Sequence, residues 1–165
     1  MFHRTSLLVL MVPLAFPLAA AAQQPTAAQK ESGAPAMAEV SAASLKWTPA
    51  EIPGFVPGLE MAVVSGDPSK TEAYTMRLRL PAGYVFPGHW HPNTEHLTVL
   101  SGTFLLAMGE KTDKSALKKY GAGDYLLLPG KMAHFGGAEG ATVVQLHGVG
   151  PFGITVTEQI PGAVK

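Results

Sequence analysis

The chain of 165 residues contains no cysteine. A disulfide framework, a thiolate nucleophile and a thiolate metal site are therefore excluded, and the fold has to hold by its core, by a bound metal or by association. Charge is scarce too: Asp, Glu, Lys and Arg make up 15% of the residues, and twelve basic groups balance twelve acidic ones. There is no basic run and no interleaving of aromatic with basic residues that could track phosphates, so nucleic acid is not an expected partner. No apolar run reaches the ~20 residues of a membrane-spanning helix. The length suits one domain with a proper core and is too short for two of ordinary size.

What the sequence has in quantity is apolar residues (47%), with 18 Gly and 14 Pro. The apolar run from Leu7 to Ala22 follows Arg4, is broken by Pro13 and Pro17, and ends in Ala20-Ala21-Ala22. A basic start, an apolar middle and small residues at the end read as a secretory signal peptide over residues 1–22, cut before Gln23. The expected location is periplasmic or secreted, with no stable membrane span once the signal is removed. Residues 23–44 are mostly Ala, Gln, Pro, Ser and Gly without an apolar period and read as a flexible linker, with a helical turn around residues 36–43 as an alternative. The texture changes at Leu45, where Trp47, Ile52, Phe55 and Val56 open the expected folded domain, residues 45–165.

Within that domain, strand-like runs recur at short spacing: 59–64, 73–80, 95–100, 103–108, 125–128, 142–147 and 154–158. Turn chemistry separates them, as in Gly66-Asp67-Pro68, Pro81-Ala82-Gly83 and Pro129-Gly130, and the pattern is that of an all-β sandwich or barrel. Residues 111–120 depart from it and read as a charged excursion, with room for one helical turn.

The candidate chemistry lies between Gly83 and His134. In a strand, His89 and His91 project from one face within reach of a single ion. Pro92-Asn93-Thr94 reads as a three-residue reversal that sets His91 opposite Glu95 on neighbouring antiparallel strands, so three ligands are expected from one hairpin. Pro129-Gly130 reads as a tight turn into a strand opened by His134, the expected fourth ligand. Three imidazoles and one carboxylate suit one divalent transition metal ion (Fe, Mn, Ni, Cu or Zn) better than Ca or Mg, which prefer oxygen alone.

Gly83, five residues, His89-Trp90-His91, three residues, Glu95, six residues and Gly102 match at every position the first motif of the cupin family, which this chain resembles over residues 59–158. The family's second motif is met by Gly123, Pro129 and His134, with two departures: Lys131 stands where the motif has Gly, and Ala138 where it has Asn. The resemblance implies a single-domain double-stranded β-helix, or jelly-roll barrel, with its metal held by His89, His91, Glu95 and His134. It implies oxygenases, isomerases, decarboxylases or lyases, and also sensor or storage proteins without turnover. Two functions are therefore carried forward: a metal-dependent enzyme, dioxygenase-like or isomerase/lyase-like, acting on a small oxygen-bearing molecule, and a non-catalytic periplasmic binding or sensing domain. A homodimer is expected, because a small barrel without disulfides gains by covering an apolar face or an edge strand.

Other residues have quieter readings. Gln145 and His147 share strand parity and point together either into the cup or into solvent. His96 faces away from Glu95's side and reads as structural or surface, and Trp90 should point away from the metal. Leu97 and Val99, and on the next run Phe104, Leu106 and Met108, alternate as ordinary core does, although one of the two sets should wall the pocket.

Overall fold

In the segment Glu95–Ser101, Glu95, Leu97 and Val99 are buried while His96, Thr98 and Leu100 are not, and Thr142, Val144 and Leu146 alternate likewise in Thr142–Val149. A period of two with one apolar side is what a strand needs to cover a core, and each fully buried Val or Leu contributes about 1.5–3 kcal/mol. The computed structural model describes residues 37–165, so the expected signal peptide and the first part of the linker lie outside the described residues. Residues Glu39–Lys165 form one compact unit.

Its strands in chain order are β1 (Thr48–Pro49), β2 (Glu60–Ser65), β3 (Ala73–Leu80), β4 (Val85–Trp90), β5 (Glu95–Ser101), β6 (Thr103–Met108), β7 (Lys118–Gly121), β8 (Tyr125–Leu128), β9 (His134–Ala138), β10 (Thr142–Val149) and β11 (Thr155–Val156). They build a six-stranded sheet, β1-β2-β3-β10-β5-β8, and a five-stranded sheet, β11-β4-β9-β6-β7, every pair antiparallel. The inner faces of both sheets supply the core, with Met76, Leu80, Val99, Phe104, Leu106, Val144 and Leu146 all buried. The only helical elements among the described residues are two short 3-10 turns, Ala42–Ser44 and Lys114–Ala116. No helix among them is long and apolar enough to cross a membrane.

The expected excursion at 111–120 holds one of these turns and then β7, where Lys118–Gly121 pairs with β6. Asp113 caps the turn by accepting from the Ser115 backbone N–H at 2.9 Å. The run 154–158 is shorter than expected as a strand, with only Thr155 and Val156 in the ladder. Its neighbours are used instead to hold other elements, as described below.

The hairpin expected around Pro92-Asn93-Thr94 does not form. β4 pairs with β9 and β11 in the smaller sheet, whereas β5 pairs with β10 and β8 in the larger one. The three residues are a crossing between sheets, and the Asn93 amide fixes it by donating to the carbonyls of Val149 (3.1 Å) and Pro151 (3.3 Å). Pro129-Gly130 likewise carries the chain from β8 in one sheet to β9 in the other.

Candidate metal centre

The cross-strand partner of His89 is His134, directly opposite on β9. The β4–β9 register shifts between Phe86 and His89, so Pro87-Gly88 forms a bulge that re-aims the strand just before His89. His91 leaves the end of β4, and Glu95 enters from the larger sheet with Oε2 3.7 Å from His91 Nε2. One ligand-capable nitrogen from each of His89, His91 and His134 lies within 4.8 Å of the others, and Glu95 stands beside this trio. The three histidines therefore meet with Glu95 beside them, and Glu95 arrives from the other sheet rather than from a hairpin shared with His89 and His91.

Each imidazole is oriented from behind by a backbone carbonyl. His89 Nδ1 bonds the Pro87 carbonyl (2.8 Å), His91 Nδ1 that of Gly153 (2.8 Å), and His134 Nδ1 that of Met132 (3.1 Å). A carbonyl can only accept, so each Nδ1 carries the proton and each Nε2 keeps its lone pair for an ion. Aromatic neighbours hold the rings: Phe55 and Phe86 meet His89 edge-on at 5.0 and 5.4 Å, and Phe152 stacks on His91 at 4.9 Å.

Burial sets the charge of these side chains. It holds His91 down at about 4 and lowers His134, and it takes His89 well below the ordinary imidazole value with help from the neighbouring His134 and His91. Burial also pushes the Glu95 carboxyl up to about 8. All four effects favour the neutral form, because a charge without a partner in an apolar setting is poorly solvated. Three neutral imidazoles with free Nε2 atoms and one carboxyl that ionises beside a cation fit a divalent transition metal.

The surrounding cavity has a volume of about 50 Å³ and is walled by apolar side chains from both sheets, among them Met61, Leu78, Leu97, Phe104, Leu106 and Leu146. Segments flanking the strands complete the wall with Ile52, Phe55 and Leu59 before β2 and with Phe152 and Ile154 before β11. Among the described residues, His89, His91, Glu95 and His134 are the only polar side chains in its lining. Both alternating sets thus contribute: Leu97, Phe104 and Leu106 wall the cavity, while Val99 is core and Met108 is 46% exposed.

Gln145 and His147 point outward, away from the cup. Gln145 accepts from Arg77 Nε at 3.0 Å, and His147 stacks on its cross-strand partner His96 with centroids 4.9 Å apart. His96 in turn is 2.5 Å from the Tyr125 hydroxyl, which confirms its surface reading. Trp90 is absent from the lining, as expected.

The departure at Lys131 has a structural counterpart. Lys131 adopts φ +64°, the left-handed conformation that suits glycine, and its N–H donates to the His91 carbonyl at 2.7 Å. Gly130 faces the crossing so closely that a Cβ there would lie 2.7 Å from the Pro92 carbonyl. Both residues shape the contact between the two inter-sheet crossings that carry His91 and His134.

Sequence reasoning missed a clasp at the back of the site. Glu158 Oε1 accepts from the backbone N–H of Gly88 (3.0 Å), from that of Thr112 (2.8 Å) and from the Thr112 hydroxyl. Thr157 N–H donates to the Gly88 carbonyl at 2.8 Å, and its hydroxyl donates to the Glu110 carbonyl at 2.6 Å. Both polar groups of Gly88 are thus held by the chain beyond β11, next to His89. A side chain at Gly88 would place its Cβ 2.1 Å from the Glu110 carbonyl, so glycine is required. Nothing local in the sequence marks Glu158, because its partners, two backbone N–H groups and one hydroxyl, lie 46 and 70 residues away.

Comparison with known structures agrees with this architecture. A proposed acetylacetone dioxygenase from Methylibium petroleiphilum PM1 is 15% identical with a TM-score of 0.56, covering 77% of this chain and 88% of its own. The salicylate 1,2-dioxygenase of Pseudaminobacter salicylatoxidans is 18% identical with a TM-score of 0.51; 65% of this chain aligns with 33% of that longer one. A Klebsiella pneumoniae protein with a double-stranded β-helix domain is 20% identical with a TM-score of 0.47, covering 59% of this chain and 83% of its own. No curated protein matches the sequence significantly. The family model described as the ChrR cupin-like domain matches residues 35–153, which take in both motifs and all four pocket residues. With the double-stranded β-helix and the buried histidine trio already in place, that match makes this chain a member of the ChrR cupin-like family.

Proposed function

We propose that His89, His91, Glu95 and His134 together hold one divalent transition metal ion, and that the chain is an exported metal-dependent enzyme acting on a small oxygen-bearing molecule. The observation that carries this reading is the aim of three buried, carbonyl-oriented imidazoles into an apolar cavity beside a buried carboxyl. If the ion took six ligands, these four residues would leave about two positions for a substrate, with or without O₂. The bound ion supplies Lewis-acid or, if redox-active, electron-transfer chemistry. The residues orient it, exclude water and keep the cavity neutral.

Dioxygenase-like chemistry is favoured over isomerase/lyase-like chemistry because two of the structural neighbours carry dioxygenase names. A second reading, a non-catalytic binding or sensing domain, is favoured by one observation: among the described residues, no acid or base lines the cavity beyond the four pocket residues. The signal-like residues 1–22 support a periplasmic or secreted location.

Elemental analysis of the protein from its own compartment, followed by O₂-uptake assays on the iron-loaded chain with small phenols, thiols and keto acids, tests these readings. One equivalent of metal with turnover supports the enzyme. One equivalent without turnover on any class moves the conclusion to sensing, and a folded chain that takes up no metal overturns the site. Export predicts a mature N-terminus near Gln23 by mass analysis, and a soluble product retaining Met1 would refute it.

A further inference from the structure

We propose that the loop joining β1 to β2, residues 50–59, is a hinged flap, and that metal ions and small ligands reach the cavity when it lifts. Its effect on metal traffic rests on the metal-site reading above; its motion does not.

His89, His91, Glu95 and His134 are each at most 6% exposed, so nothing reaches them unless a wall moves. Most of the wall is fixed. Met61, Leu78, Leu97, Phe104 and Leu146 sit on strands paired within the two sheets, where an opening would break several ladder hydrogen bonds at once. The wall formed by Phe152 and Ile154 is pinned as well. The Phe152 N–H donates to the Pro68 carbonyl at 2.6 Å, the Gly153 carbonyl accepts from His91, and Ile154 runs into β11.

The remaining wall, carried by Ile52 and Phe55, is built differently. Its loop has a closed neck, where Thr48 and Pro49 pair with Met61 and Glu60 and the Ala50 N–H donates to the Leu59 carbonyl at 2.8 Å. A compact loop with adjoining ends can swing as one piece. Its tip, Ile52-Pro53-Gly54-Phe55, has the signature of a type II turn: the Phe55 N–H donates to the Ile52 carbonyl (3.0 Å) and Gly54 takes φ +90°. Ile52 and Phe55 therefore move together. Gly58, at φ +115° beside the neck, supplies a hinge. Among the described residues, three hydrogen bonds hold residues 51–58 to the rest of the barrel. The Gly54 N–H donates to the Val164 carbonyl (2.9 Å), the Val164 N–H to the Phe55 carbonyl (2.8 Å), and the Tyr84 hydroxyl to the Val56 carbonyl (2.7 Å). Neither Tyr84 nor Val164 lines the cavity, so the catch can be altered without touching the site.

Hydrogen exchange and metal kinetics on the full chain test the flap. In the metal-free wild type, the Gly54 and Val164 amides should exchange together and about a hundredfold faster than those of β10. Val164→Pro and Tyr84→Phe each remove one donor of the catch. Both should speed Co²⁺ uptake, and its release to excess EDTA, about tenfold with Kd little changed, as a gate requires. Val164→Ala keeps the N–H and should behave as the wild type. Gly54 and Val164 amides as protected as those of β10, or Co²⁺ rates unchanged in both variants, overturn the inference. So does a weaker Kd with uptake unchanged, which would make the catch a static support. If one variant is unstable, the other and the wild-type exchange decide. Failure of the metal-site reading has a different signature: the wild type would bind no Co²⁺, and hydrogen exchange alone would then decide the flap.

Discussion

At the scale of single residues, each pocket histidine is aimed by one carbonyl, so its loss cannot be made good by a neighbour. His89→Ala, His91→Ala, Glu95→Ala and His134→Ala should each cut metal content sharply with the barrel still folded, while His96→Ala, on the outer face, should leave it unchanged. Metal analysis beside circular dichroism checks this, and the reverse pattern for His134 and His96 would disprove it. The same residues predict how the metal-free protein responds to pH. Histidines held below their ordinary 6.5 bind fewer protons folded than unfolded, so their contribution is present above that pH and is lost as pH falls towards 4. Glu95, raised from 4.5 to about 8, binds more protons folded, so its contribution is full in acid and is lost as pH rises towards 8. Thermal melts of chelated protein should therefore peak near pH 6.5 and fall on both sides; a monotonic profile would contradict the assignment. Lys131 makes a third case. Relief of its left-handed backbone by Lys131→Gly should raise stability by up to about 1 kcal/mol, read as an upward shift in Tm, because only glycine adopts that conformation without a steric cost.

Among the elements, the bulge before His89 and the chain beyond β11 work as one unit. Thr157 and Glu158 hold both the carbonyl and the N–H of Gly88, and Gly153 earlier in the same segment holds His91. Supports of this kind typically alter metal affinity 10–100-fold when removed. Glu158→Ala should weaken metal binding about tenfold in competition titrations, and Glu158→Gln, whose amide oxygen still accepts, should restore most of it. Equal losses in the two variants would mean that the carboxylate acts through charge and not through its hydrogen bonds. The element scale is also where the hairpin expectation failed. Pro92-Asn93-Thr94 has the composition of a tight reversal, yet its amide bonds the far end of β10 and the chain enters the other sheet. Composition marks that a chain turns; the partner that captures the next strand is chosen by burial of its apolar side, here Leu97 and Val99 against the opposite sheet.

For the whole molecule, the larger sheet ends at β8, a short edge strand with Tyr125 and Leu127 54% and 51% exposed. An edge of this kind is a template for association, and light scattering at tens of micromolar should report a dimer; a monomer would count against it. By itself the sequence determined the all-β class, the four pocket residues and the two motif departures, because strand alternation and ligand spacing are local properties that survive without a partner. It placed His89 and His91 on one face for the same reason. Only the tertiary structure decided that His134, not Glu95, stands opposite a histidine on the ladder, and that Glu158 braces the bulge. Those facts depend on which strands pair and on backbone groups far apart in the chain, and pairing is settled by the joint burial of both sheets rather than by any single segment.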